Sequence, residues 1–257
     1  MAMPLEIVTL PCRTDNYAFL LHNEQTGETA LVDAPETAAI ETALDSRGWT
    51  LDYILLTHHH TDHIEAVNPL KARYRSKVIG ASADAHRLPD LDQQVAAGET
   101  TTLLGEEVHI IDVSGHTIGH IAFHIPGANA VFTADSLMAF GCGRLFEGTH
   151  EQAWTSLCAL ATLPEETIVY SGHEYTQANA KFALTIEAEN PALIQRVADI
   201  DEARAQGRPT VPSALALELA TNPFLRAGEP SVKAAVGMED QDALAVFTEV
   251  RRRKDNF

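Results

Sequence analysis

The sequence predicts a mixed α/β (α+β) domain over residues 1–173 and a small all-helical domain over residues 174–257. Two observations carry this division. Short apolar runs of strand length dominate the first two thirds of the chain, separated by Gly, Asn and Pro clusters. From about Glu174 the texture changes to Ala-rich segments with helical spacing. A third observation points to function: several of the strand-like runs end in His or Asp.

The strand-like runs cover 5–10, 17–22, 29–33, 53–57, 77–80, 108–113, 121–125, 130–133 and 167–170. Gly105, Gly115 and Pro126-Gly127 supply clear turn signals between them. Helical patterns at about 37–47, 64–74 and 151–162 interrupt the strands. Strands and helices interleaved in this way imply sheets covered by helices, since every apolar sheet face must be buried. In the second domain, 176–189 and 191–206 read as helices divided by Asn190-Pro191. Pro is tolerated at the first helical position, so Pro191 starts the second of them. A loop at 207–212 precedes helices near 213–220 and 239–253. The chain shows neither an internal repeat nor a low-complexity segment.

Composition bounds the function class. A chain of 257 residues, 45% hydrophobic and 21% charged, can bury a real core. No apolar run approaches the length of a membrane span. Met-Ala-Met-Pro-Leu-Glu-Ile has no basic start followed by an apolar stretch, so no secretory leader is expected. An organellar presequence would need an Arg or Ser series, which the start also lacks. Cys12, Cys142 and Cys158 are odd in number and form no CxxC pair, which disfavours a disulfide framework or a zinc knuckle. A cytoplasmic monomer is expected. The net charge of −18 argues against nucleic acid and anionic membranes as partners. Against that acidity, Arg251-Arg252-Arg253-Lys254 stands out, although helices often end on cations that complement the dipole.

The most informative run is Thr57-His58-His59-His60-Thr61-Asp62-His63, directly after the apolar Tyr53-Ile54-Leu55-Leu56. Extended geometry puts His58, His60 and Asp62 on one face and His59 on the other, with His63 following as the chain turns. Imidazole and carboxylate together suit zinc, iron or manganese. A solvated His-rich loop or a tag remnant does not fit an internal position at a strand end. One strand end cannot close a metal site, so other strand ends are expected to contribute. Ser114-Gly115-His116-Thr117, Thr133-Ala134-Asp135-Ser136 and Ser171-Gly172-His173-Glu174 each follow a strand-like run. Each places a small residue just before the candidate ligand, allowing a tight turn beside a crowded centre. His22, His86, His109, His120, His124 and His150 lie outside any such motif and read as structural or surface residues.

This set resembles the metallo-β-lactamase superfamily through His58, His60, Asp62, His63, His116, Asp135 and His173. Asp33, in Leu31-Val32-Asp33, matches a further acidic position of that pattern. The resemblance implies an αββα sandwich carrying two divalent metal ions, zinc foremost, with iron or manganese also open. His58, His60 and His116 would bind one ion, Asp62, His63 and His173 the other, and Asp135 would bridge them. Asp33 would orient ligands without binding metal.

Flanking segments narrow the family. Gly141-Cys142-Gly143-Arg144-Leu145-Phe146-Glu147-Gly148, Gly172-His173-Glu174-Tyr175-Thr176, Thr221-Asn222-Pro223-Phe224-Leu225-Arg226 and the ending Arg251-Arg252-Arg253-Lys254-Asp255-Asn256-Phe257 are similar to glyoxalase II, the hydroxyacylglutathione hydrolases. That resemblance spans nearly the whole chain. It implies a thioester hydrolase cleaving S-D-lactoylglutathione and related S-2-hydroxyacylglutathiones, in methylglyoxal detoxification, with a metal-bridging hydroxide as nucleophile. Arg144, Phe146, Tyr175, Arg251 and Lys254 would line the glutathione site. Phe146 stands where the family often has Tyr, and Arg144 where Lys is frequent. A glutathione-persulfide dioxygenase with one iron is the alternative on the same scaffold; that family generally lacks the long helical C-terminal region.

Overall fold

The computed structural model describes residues 5–257, so the leader expectation for Met1-Ala2-Met3-Pro4 lies outside the described residues. Contacts divide the described chain into two compact units. One comprises the residues up to Asp112 with Ile118–Thr133, and the other Val113–Thr117 with Ala134–Phe257.

The first unit is built on a six-stranded sheet in sequential order: β1 (Glu6–Cys12), β2 (Asn16–His22), β3 (Thr29–Val32), β4 (Tyr53–Leu55), β5 (Lys77–Ala81) and β6 (Gln93–Val95). β1 to β3 pair antiparallel, and β3 to β6 pair parallel. Parallel neighbours require crossovers. α1 (Thr37–Arg47) supplies the first, and α2 (Thr61–Ile64) with α3 (Val67–Tyr74) the second. β7 (Thr100–Leu103), β8 (Glu106–Asp112), β9 (Ile121–Ile125) and β10 (Ala130–Ala134) pair antiparallel as part of a second sheet.

β2 shows why the layers stack. Its sequence, NYAFLLH, is apolar on both faces, as a strand buried on both sides must be. Ala18 and Leu20 join the core beneath α1 and α3 with Ile40, Leu44, Val67 and Leu70. Phe19, on the opposite face, packs on Phe132 of β10 with ring centroids 5.6 Å apart. The first sheet therefore lies between helices and the second sheet.

The second unit contains the hairpin β11 (Leu137–Met138) and β12 (Gly141–Cys142), then α4 (His150–Ala161), whose Thr149 and Gln152 form a reciprocal capping box. β13 (Ile168–Ser171) pairs antiparallel with β14 (Ser213–Ala214). The helices are α5 (Thr176–Ile186), α6 (Pro191–Ala205), α7 (Leu215–Thr221), α8 (Pro230–Val236) and α9 (Ala243–Asp255). Asn190 caps α6, accepting from the Ala192 and Leu193 amides, with Pro191 at the first position.

Several elements differ from the sequence expectation, the short strands β11, β12 and β14 among them. The helix expected over 64–74 is broken into α2 and α3, because Pro69 has no amide to donate back to residue 65. β6 and β7 are additional strands from polar, Thr- and Gln-rich segments. α8 is an additional helix, marked by Pro230 at its first turn and left-handed Gly237 at its end. Among the described residues no helix is long and apolar enough to cross a membrane.

A buried polar network fixes the β11–β12 hairpin. Arg196 ion-pairs with the fully buried Glu218, donates to Thr221 Oγ1 at 2.6 Å, and lies over the Phe140 ring at 4.0 Å. Glu218 Oε2 accepts from the Phe140 amide at 2.9 Å. Asn222 Nδ2 donates to the carbonyls of Met138 (3.1 Å) and Gly141 (2.9 Å). Replacing Glu218 with Ala would leave the Arg196 guanidinium buried without its counter-charge. The expected loss of stability is about 3–5 kcal/mol by chemical denaturation. A loss below about 1 kcal/mol would show that the network does not hold the hairpin.

Candidate metal centre

In the first unit, Asp33 and the His-rich run leave neighbouring parallel strands at the same edge, where side chains from successive strand ends converge. Asp33 adopts a left-handed backbone, φ 57°, a conformation kept at functional positions despite its cost. Its Oδ1 accepts from the Thr57 amide at 3.0 Å and its Oδ2 from Thr57 Oγ1 at 2.8 Å. The same Oδ2 lies 2.8 Å from His63 Nδ1. Thr57 Oγ1, having donated its proton to Asp33, faces His58 Nδ1 at 3.0 Å as an acceptor. Both imidazoles therefore carry their proton on Nδ1 and their lone pair on Nε2, the arrangement in which histidine binds metal. Asp33, His58 and His63 are buried, and their ligand atoms lie within 4.8 Å of one another.

The extended alternation expected over 58–62 ends at His60. The His63 amide donates to the His60 carbonyl at 2.9 Å, and a single helical turn begins at Thr61. Asp62 is therefore delivered by a helical turn. The His60 ring meets His58 edge-on, with centroids 4.8 Å apart. Asp62 Oδ2 lies 3.8 Å from His63 Nε2 and accepts from Asn16 Nδ2 at 3.0 Å. Asn16 is a site residue that sequence reasoning missed; its one signal was a polar residue opening the apolar strand β2. His59 turns to the buried Asp84, 2.9 Å from its Oδ2, and Asp84 also takes Arg87 Nε at 2.5 Å. His120 is buried and stacks on His58 at 4.6 Å.

In the second unit, one carboxylate joins two imidazoles. Asp135 Oδ2 lies 3.3 Å from His116 Nε2, and its Oδ1 lies 3.3 Å from His173 Nε2. Ala134, just before Asp135, is left-handed at φ 41°. His116 Nδ1 lies 2.7 Å from the Arg144 carbonyl, which assigns the proton to Nδ1 and the lone pair to Nε2. Gly143 is required here. A Cβ on it would lie 1.9 Å from the Asp135 carbonyl oxygen and 3.2 Å from His116 Nδ1. Phe146 meets His116 edge-on at 5.2 Å, and Tyr175 stacks on His173 at 4.7 Å.

The expected glutathione residues divide by exposure. Phe146 is 63% and Tyr175 39% exposed, whereas Arg251 is 4% exposed. Arg251 Nη1 donates to the Cys142 carbonyl at 3.0 Å and Nη2 to Asp255 Oδ1 at 2.8 Å. Arg144, an exposed side chain, approaches the same Asp255 oxygen at 3.5 Å. Lys254 donates to the Ala178 carbonyl at 3.2 Å and sits 5.3 Å from the rings of both Phe182 and Phe257. Burial, reinforced by Arg251, lowers the Lys254 pKa below the ordinary lysine range. Burial raises the pKa of the Cys142 thiol, which keeps it protonated at neutral pH and removes it as a nucleophile.

The donors are imidazoles and carboxylates without thiolate. Three of the imidazoles have Nδ1 held by a hydroxyl, a carboxylate or a carbonyl. Such a set fits divalent metal binding.

Comparison with known proteins agrees with this chemistry. The metallo-beta-lactamase superfamily matches residues 14–173, and the family described as hydroxyacylglutathione hydrolase C-terminus matches residues 174–257. A hydroxyacylglutathione hydrolase of Ruegeria pomeroyi is 60% identical over 255 residues, covering 99% of this chain and all of that protein. Among solved structures, the BLEG-1 B3 metallo-beta-lactamase is 22% identical with a TM-score of 0.65, covering 86% of this chain and 99% of its own. ETHE1 from Myxococcus xanthus is 23% identical with a TM-score of 0.63, covering 98% of both chains. These two likenesses show the fold. The full-length match shows more: the chain belongs to the hydroxyacylglutathione hydrolase family, within the metallo-beta-lactamase superfamily.

Proposed function

We propose that this chain hydrolyses the thioester bond of S-2-hydroxyacylglutathiones, with S-D-lactoylglutathione as substrate and D-lactate and glutathione as products. The observation that carries this reading is 60% identity, end to end, with a hydroxyacylglutathione hydrolase. The persulfide dioxygenase reading has weaker support, because residues 174–257 match the hydrolase family's own C-terminal region. Three free cysteines suit a cytoplasmic setting for the reaction.

We assign two divalent ions to the seven-residue set, zinc foremost, with iron or manganese also compatible. His58, His60 and His116 would hold one, Asp62, His63 and His173 the other, and Asp135 would be shared. The shared role is supported by Asp135 itself, which offers a different oxygen to each of two imidazoles at 3.3 Å. Bound in this way, such ions lower the pKa of a coordinated water and polarise a carbonyl oxygen.

The chain's own residues do the rest. Asp33 and the Arg144 carbonyl keep the protons of His63 and His116 on Nδ1, which fixes ring orientation and raises basicity at Nε2. Asn16 holds the Asp62 carboxylate in place. A thiolate leaves readily, since a thiol pKa lies at about 8–9, so no acid residue is needed to protonate it. Arg144, Phe146, Tyr175 and Lys254 would contact the glutathione part, with the buried Arg251 bracing Arg144 through Asp255. Guanidinium and ammonium groups suit the two carboxylates of glutathione, which an otherwise acidic chain would repel.

Purified protein is expected to release thiol from S-D-lactoylglutathione, and Asp135→Ala to abolish both turnover and full metal content. Normal turnover with one ion per chain would contradict the assignment. Asp33→Asn is expected to weaken metal affinity about 10–100-fold in a chelator competition while the chain stays folded. Unchanged affinity would remove Asp33 from the account.

A further inference from the structure

We propose that Asp255 is a built-in competitor for a substrate carboxylate, and that it sets how tightly the glutathione subsite holds its ligand. This rests on the reading of Arg144, Arg251 and Lys254 as that subsite. Asp255 closes α9, four residues after Arg251, so one helical turn places its carboxylate beside the Arg251 guanidinium. Arg251 Nη2 donates to Asp255 Oδ1 at 2.8 Å, and Arg144 Nε lies 3.5 Å from the same oxygen. Side-chain exposure rises along this chain of contacts, from 5% at Arg251 to 35% at Asp255 and 58% at Arg144.

The gradient gives each group a separate role. Arg251 is fixed from two sides, by the Cys142 carbonyl and by the Phe224 ring 5.1 Å away. It therefore anchors the Asp255 carboxylate at the surface. That carboxylate reaches the exposed guanidinium, where a ligand carboxylate of the same sign would bind. Arg144, Arg251 and Lys254 thus share one anion, and that anion stands in for part of the ligand. The Arg144–Asp255 contact is solvent-facing and weak, so an arriving carboxylate displaces it readily. After cleavage, Asp255 is in place to recover Arg144 as glutathione departs.

Asp255→Asn keeps the acceptor for Arg251 and removes only the charge. Binding of S-methylglutathione, a thioether that cannot be hydrolysed, is measured by calorimetry on the intact protein. Asp255→Asn is expected to bind about threefold tighter than the parent, with the gap closing at high salt. Asp255→Ser, a second neutral replacement, is expected to do the same. Arg144→Met is expected to bind more weakly than the parent. Unchanged or weaker binding by both neutral variants, with Arg144→Met still impaired, would overturn the competitor role alone. Unimpaired binding by Arg144→Met would overturn the subsite reading, and the proposal with it.

Discussion

The Asp33 carboxylate is the constraint on which the donor cluster of the first unit depends. It takes the Thr57 amide, the Thr57 hydroxyl and His63 Nδ1. It thereby ties the end of β3 to the segment leaving β4 and to the helical turn beyond. Hydrogen bonds to a charged group contribute about 1.5–3 kcal/mol each, and removing this acceptor would leave buried donors with nothing to replace it. The left-handed backbone at Asp33 is the local cost of pointing the carboxylate there. Two histidine tautomers follow from this one group, His63 directly and His58 through the Thr57 hydroxyl.

The donor cluster of the second unit depends on backbone room. Asp135, His116 and the Gly143 backbone crowd together so closely that only glycine fits at residue 143. The hairpin leading into Gly143 cannot drift, because Asn222 holds its carbonyls and Glu218 its Phe140 amide. The Asn222-Pro223-Phe224 motif, far along the sequence, thus has a mechanical meaning. It steadies the hairpin that leads to the Arg144 carbonyl, the acceptor for His116.

Much of this was legible in the sequence. Strand runs such as Tyr17–His22 carried enough apolar weight to be read directly, and the His and Asp residues at strand ends suggested a donor set. The parts that escaped did so for physical reasons. β6 and β7 have few apolar residues and owe their extended form to neighbours in the sheets. The placement of Asp62 depended on where a helical turn begins, which strand alternation cannot show. Asn16 is a polar residue whose role appears only when Asp62 arrives 46 residues later. The burial of Arg251 was hidden inside a run of four cations, three of them less buried. The proline and glycine that bound α8 were present as signals but enclose only seven residues.

Cleavage of a glutathione thioester through metal held by the His and Asp set is the reaction proposed for this chain. Titrating metal-depleted protein with zinc, while following thiol release from S-D-lactoylglutathione, tests it most directly. Negligible release is expected without metal, with a rate that saturates at two equivalents per chain. Full release from metal-free protein, or saturation at one equivalent, would contradict it.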